Sequence, residues 1–217
     1  MQGPRRGYSA AGLARRFENL FVHAGRREEH REATIRHAHA ALAWGRDDAM
    51  ALALAGFNIG MVEHDRAAAL EAFEAAVALP SSAFTYFCGA VVLCFAGEAE
   101  RAIEWAEQAL RLSPFDPMAT NAWIALFNGN FQRGRYEDAV NAARKAVQSN
   151  PGFSIAHMFL AAALAGLGRT DEAKSAAARV LALQPNFRIG EWRAAISPVP
   201  ELSEPLTEAL RQAGLLD

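Results

Sequence analysis

The chain has 217 residues, of which 52% are hydrophobic and 21% charged, and its formal net charge at pH 7 is -2. This balance excludes a disordered or polyelectrolyte chain, and the near-neutral charge gives nucleic-acid binding no overall electrostatic driving force. Alanine is the commonest residue, which favours closely packed helices over strands. The composition therefore predicts a soluble, all-α protein that does not bind nucleic acid.

The N-terminal segment, residues 1–48, is predicted to form a degenerate helix hairpin with helices over residues 9–24 and 26–44. Its early arginines are not followed by an apolar stretch, so it does not have the form of a secretory signal. The uncharged segment from residue 75 to 97 is interrupted by Pro80, and its apolar part is too short to cross a bilayer. Cys88 and Cys94 are too far apart on one helix to form a disulfide. We therefore expect free thiols, a cytoplasmic location and no membrane contact.

From residue 49 onward, three kinds of residue recur in the same phase. A first helix can end at a left-handed glycine, small residues let a second helix pack closely, and a proline ends that helix. The pattern predicts helix hairpins over residues 49–80, 83–114, 120–151 and 154–185. The recurring residues are the prolines at 80, 114, 151 and 185, the glycines at 97, 134 and 168, and the alanines at 102, 139 and 173.

The C-terminal tail, residues 186–217, departs from this pattern. Leu202, Leu206 and Leu210 form one apolar stripe, with Ser203 expected to cap the start of the helix and Gly214 to end it. A helix with a polar outer side can cover the apolar face that the last repeat of a solenoid leaves open. We therefore expect a right-handed α-solenoid of about five hairpins, closed by a C-terminal capping helix, in one domain.

These landmarks resemble the tetratricopeptide repeat (TPR) family, with its W-x2-L-G-x2-Y, A-x3-F and P positions. Phe127 and Asn130 depart from the pattern, in the small-residue and tyrosine positions. The resemblance implies a non-catalytic protein-interaction scaffold that binds peptides in a concave groove. The tail is also similar to those of TPR regions that follow the catalytic domain of bacterial class III adenylate/guanylate cyclases, which implies a regulatory region as an alternative. Residues 120–151 match through Trp123, Leu126, Gly134, Tyr136, Ala139, Ala146 and Pro151.

One predicted helix, beginning at residue 83, is apolar on two faces. One face can pack within its hairpin, and the resemblance implies that the other faces the groove and binds an apolar or amphipathic peptide or helix. Two interpretations stay open besides an open groove: these side chains are covered within the chain, or they are covered in a homodimer. The predicted groove residues are Phe57, Met61, Phe84, Phe87, Val91, Asn121, Ile124, Asn128, Phe131 and Gln132.

No catalytic or metal-binding arrangement is predicted. His30, His37 and His39 lack the spacing that would place metal ligands on one helix face, and neither cysteine has a basic neighbour in sequence that would activate a thiol. No lysine or arginine occupies the groove positions, which disfavours binding of a C-terminal carboxylate. We therefore expect no enzymatic activity and no cofactor, and we expect a protein or peptide partner, with a homodimer as an alternative.

Overall fold

The computed structural model describes residues 28–80 and 82–217 of the chain, and within them all regular secondary structure is helical. The first helix of the predicted N-terminal hairpin, residues 9–24, lies outside these residues. The helices are α1 (Glu28–Trp44), α2 (Ala49–Asn58), a π-helix that continues α2 (Ile59–Glu63), α3 (Arg66–Val77), α4 (Ala83–Phe95), α5 (Ala99–Leu112), α6 (Ala119–Gln132), α7 (Tyr136–Ser149), α8 (Ser154–Gly166), α9 (Thr170–Leu183), α10 (Ile189–Ile196) and α11 (Pro200–Gln212).

The helices pack as successive hairpins, α2 with α3, α4 with α5, α6 with α7, and α8 with α9. The predicted all-α solenoid is confirmed. Three glycines have the left-handed conformation that ends the first helix of a hairpin, with φ angles of 85° at Gly97, 67° at Gly134 and 72° at Gly168. The residue that follows each glycine donates its main-chain N–H to a carbonyl near the end of the preceding helix, as in the 3.0 Å hydrogen bond from Glu98 N to Leu93 O. The next helix can then run antiparallel to the first.

The hairpin of α2 and α3 differs from the others at its turn. His64 occupies the left-handed position there, with a φ angle of 65°, and follows a π-helix in place of a regular helix end. A β-carbon at Gly60 would lie 2.7 Å from Val92 Cγ1, so only glycine lets this segment approach α4 so closely. Asp65 then starts α3 by accepting a hydrogen bond from Ala68 N.

The C-terminal tail forms α10 and α11, which are tied together by the 3.0 Å hydrogen bond from Ile189 N to Leu216 O. The expected helix start at Ser203 is wrong, because Pro200 already begins α11 and Ser203 lies buried inside it; proline suits the first helical position, where no N–H is needed. The expected capping helix is present and packs on α8 of the last hairpin. It also reaches α6 of the preceding hairpin, which the sequence did not predict.

Candidate functional site

The first helices of the hairpins form the inner layer of the solenoid. Helix α4 contacts both α2 and α6 directly, whereas the second helices α3, α5, α7 and α9 have no comparable contacts with one another. A layer whose helices lie closer together is the concave side of a curved stack. We define the concave groove as the surface formed by α2, α4, α6 and α8, and it is the candidate functional site.

Most of the predicted groove residues are buried. The two that keep partial exposure are Phe84, at the start of α4, and Gln132, at the end of α6. The other eight are shielded from solvent within the chain, so the groove is not an open apolar trough of these side chains. The buried ones are Phe57, Met61, Phe87, Val91, Asn121, Ile124, Asn128 and Phe131.

Two of these residues serve the packing of the solenoid itself. The Phe131 ring lies 5.3 Å from the rings of both Phe127 and Tyr136, and Phe127 in turn stacks on Phe159 of α8 at 4.5 Å. Gln132 Nε2 donates to Cys94 O at 3.0 Å, which ties α6 to α4. Phe131 therefore packs within its own hairpin, whereas Gln132 and Phe127 join that hairpin to its neighbours.

The C-terminal tail lies along part of the groove. Helix α11 packs on α8 and α6 and buries Leu202, Leu206 and Leu210 completely. In α10, the Trp192 ring makes edge contacts with Phe95 at 6.4 Å and with Phe159 at 6.1 Å.

Between α10 and α11 the tail reaches back to α4, the first helix of the second complete hairpin. Val199 N donates to Phe95 O at 3.2 Å, and the Val199 side chain packs over Gly97, where an added β-carbon would lie 3.3 Å from it. The tail thus crosses the inner side of three successive hairpins. Of the alternatives left open by the sequence, this is the one in which the groove is covered within the chain.

Arg66, at the start of α3, holds the tail at the end of α10. Its Nη2 donates to Ile196 O at 2.7 Å and to Ser197 O at 3.4 Å. The last carbonyls of a helix have no partner within the helix and carry its partial negative charge, so a guanidinium is a favourable partner for them. Burial lowers the pKa of Arg66 to about 10, which leaves it charged at neutral pH.

Some buried polar atoms of α6 and of the tail lack a hydrogen-bond partner. They include Asn121 Nδ2 and Asn128 Oδ1 on α6, and Trp192 Nε1 on the tail itself. Asn128 Nδ2 donates to Ile124 O of its own helix at 3.0 Å, and the Asn128 side chain also lies against the Cys94 thiol, whose pKa it lowers. A buried polar atom left unpaired costs about 1–3 kcal/mol, so the polar groups of the groove and of the tail are imperfectly matched.

Both cysteines are free and buried in α4. Burial raises the pKa of the Cys88 and Cys94 thiols, and for Cys94 the neighbouring Arg66 guanidinium opposes this shift. Both thiols are therefore protonated at neutral pH.

Among residues 28–80 and 82–217, no group of three or more potential ligand side chains is placed to hold a metal ion. No helix in this part of the chain is both long and apolar enough to cross a membrane.

The sequence prediction missed the residues that hold the tail in the groove. Trp192, Ile196 and Val199 lie in a segment expected to cover only the end of the solenoid, and Arg66 follows the groove helix of its hairpin. One signal was present: residues 186–217 carry two apolar stretches, one more than a single capping helix needs. Which surface they would cover could not be deduced from that pattern.

The fold and this groove are those of a helical solenoid that is similar to TPR proteins. The family model described as "Tetratricopeptide repeat" matches residues 130–196, so the resemblance seen in the sequence is confirmed. A curated relative, the small glutamine-rich tetratricopeptide repeat-containing protein 2 of Mycosarcoma maydis, is 34% identical over 106 residues. That alignment covers 48% of this chain and 29% of the relative, so the chain matches less than a third of the relative's length.

Solved structures show the same fold at low sequence identity. A crystal structure of MamA protein has a TM-score of 0.57 at 20% identity, covering 88% of this chain and 97% of that one. YrrB, described as a TPR protein with an unusual peptide-binding site, has a TM-score of 0.53 at 21% identity, covering 81% of this chain and 91% of that one. The repeats of this chain are thus arranged as in known TPR solenoids.

Proposed function

We propose that this chain is a non-catalytic, cytoplasmic interaction scaffold whose concave groove binds an amphipathic helix of a protein partner. One observation carries the proposal: an amphipathic helix, α11, already lies against α6 and α8 with its leucine stripe buried. A surface that accepts one such helix has the shape and the apolar character to accept another. The structurally similar YrrB is described as having a peptide-binding site, which agrees with this class of function.

The partner helix is expected to repeat the pattern of α11. Leu202, Leu206 and Leu210 are buried at intervals of four residues, whereas Glu204 and Glu208 are exposed on the outer side. Arg66, which lies beside the groove, already donates to main-chain carbonyls of the tail. Recognition through the apolar side of a helix is therefore favoured over capture of a C-terminal carboxylate.

Two phenylalanines allow a matched test with the full chain. Phe84 keeps partial exposure on the groove face, whereas Phe115 is 97% exposed in the loop between α5 and α6. A partner is first identified by affinity purification with the wild-type chain and is then purified. Its affinity is measured by titration into the wild-type chain, Phe84→Glu and Phe115→Glu. We expect Phe84→Glu to weaken binding at least tenfold, because it places a carboxylate against apolar surface, and Phe115→Glu to change it less than twofold.

Loss of binding in Phe115→Glu with unchanged binding in Phe84→Glu would refute the groove assignment.

The exposed side chains of Phe115 and Trp44 favour homo-oligomerisation as a second candidate function, because exposed aromatic side chains are frequent at interfaces between subunits. Light scattering decides this alternative: a dimer that Phe115→Glu dissociates supports self-association. A regulatory role beside a nucleotide-cyclase domain stays a prediction from the resemblance of the tail.

A further inference from the structure

We propose that the C-terminal tail, residues 186–217, is a displaceable occupant of the concave groove, and that a partner helix with apolar residues at four-residue intervals binds only when the tail leaves. The tail would then act as a built-in competitor. This proposal rests on the proposed function, to which it adds the regulation of the same site. It is carried by three features of the tail and of the groove beneath it.

The first feature is the low intrinsic stability of the tail helices. Helix α10 has 8 residues and α11 has 13, and isolated helices of this length are marginal in water. Pro205 lies inside α11, where it removes a main-chain hydrogen bond and disfavours the helix further. The helical form of the tail therefore depends on its packing against the groove. The tail has two states, one docked and helical and the other released and largely unfolded.

The second feature is the set of unpaired polar atoms in the docked state. Asn121 Nδ2 is a donor and Asn128 Oδ1 an acceptor, and both are buried without a partner. Both lie on α6, which α11 contacts, and neither is bonded to the tail, so a partner segment that reached them with a carbonyl and an N–H would make two hydrogen bonds that the tail does not make. A ligand shifts an equilibrium only through such a difference in affinity between two states.

The third feature is the place where polar contacts hold the tail. These contacts are the Arg66 bonds to Ile196 O and Ser197 O and the bond from Val199 N to Phe95 O. All three lie at the junction of α10 and α11, so loss of one side chain, Arg66, removes two of the three. The apolar contacts of Trp192 and the buried leucine stripe of α11 also hold the tail in place.

The two cysteines report tail release in the intact chain. Cys94 lies beside Arg66, and Phe95, the next residue, binds the tail. Cys88 is six residues earlier on the same helix and faces a different direction. Alkylation by iodoacetamide at neutral pH, mapped by mass spectrometry, gives the rate at each thiol. Cys94 measures opening of the groove and Cys88 measures opening of the whole fold.

The Arg66→Met variant removes the guanidinium donors and keeps an apolar side chain of similar reach. We expect it to speed alkylation of Cys94 about tenfold and to leave Cys88 unchanged, because loss of a hydrogen bond to a buried carbonyl corresponds to a factor of this size. The same change removes a charge that lowers the pKa of Cys94, which by itself would slow the reaction. Acceleration can therefore come only from exposure.

The control is Arg169→Met, which breaks the exposed ion pair with Glu172 on α9 and should leave both rates unchanged. Unchanged Cys94 alkylation in Arg66→Met would overturn the proposal, because the contact would then not hold the tail. Equal acceleration at Cys88 and Cys94 would also overturn it, since the tail would then open only together with the whole fold.

A second experiment adds the tail as a separate molecule. A fluorescein-labelled peptide of residues 186–217 is titrated, by anisotropy, into the wild-type full chain and into Trp192→Ala. The peptide should bind Trp192→Ala about 100-fold more tightly or better, because truncation of a buried tryptophan weakens the attached tail by such a factor and the wild-type tail competes at high effective concentration. The matched control peptide carries Trp192→Ala and should lose most of this binding.

The outcomes distinguish failure of the displaceable-tail proposal from failure of the proposed groove function. Equal, tight peptide binding to both chains would refute competition by the tail and leave the proposed function standing. No binding to either chain, with Cys94 exposed in Trp192→Ala, would refute the groove as a helix-binding site. No binding to either chain with Cys94 still protected would show that the tail is a fixed part of the fold, which overturns the proposal.

Discussion

The close approach of consecutive hairpins predicts a large effect for Gly129→Ala. Gly129 of α6 faces α5, and a β-carbon there would lie 2.6 Å from Ile103 Cγ1 and 2.8 Å from Ala99 O. Ala99 O belongs to the main chain, so it cannot move without shifting α5. Overpacking of this kind costs about 1–3 kcal/mol, whereas replacing glycine by alanine within a helix gains at most about 1 kcal/mol.

Because the collision involves a main-chain atom, the cost falls in the upper part of this range, about 2–3 kcal/mol. The net loss of about 1–2 kcal/mol should lower the Tm of this 217-residue chain by about 2–8 °C. The matched variant is Gly190→Ala in α10, where no atom lies within 4 Å of the added carbon. It retains the gain in helix propensity without the collision, so its Tm should be unchanged or higher. Differential scanning calorimetry compares the two, and a Gly129→Ala protein as stable as Gly190→Ala would refute the inferred helix spacing.

Phe87→Glu should unfold the protein, because Phe87 is completely buried and an unpaired buried carboxylate costs several kcal/mol beyond the lost packing; native-like circular dichroism for this variant would contradict the placement. His64→Gly should stabilise the chain by about 0.5–1 kcal/mol through relief of the left-handed backbone, and Gly168→Ala, which has the same conformation and open space around it, should destabilise it by a similar amount. Burial, then Arg66 and Arg31, lower the pKa of His64, so the folded state binds fewer protons and stability should fall as the pH drops below about 6.5. Denaturant titrations at pH 7.5 and 5.5 should show a smaller pH effect in His64→Gly.

The repeat and its turns could be predicted from the residues alone. Gly97, Gly134 and Gly168 could be assigned left-handed conformations because the glycine, alanine and proline landmarks are local, and each acts through the main chain of its own hairpin. The hairpin of α2 and α3 has no glycine at this position, and His64 has the left-handed conformation there. Local rules of this kind do not depend on what packs against the finished solenoid.

The occupant of the groove, by contrast, could be identified only from the packed chain. Phe87 and Val91 form an apolar stripe in the sequence, and such a stripe is the same whether it faces a partner, a second copy or the chain's own tail. The tail is held by contacts such as Trp192 with Phe95 and Arg66 with Ile196, which join residues about 100 and 130 positions apart. The repeat pattern of the sequence does not predict these long-range contacts. They arise because the curvature of the solenoid brings the C-terminal tail back across the first helices of the hairpins.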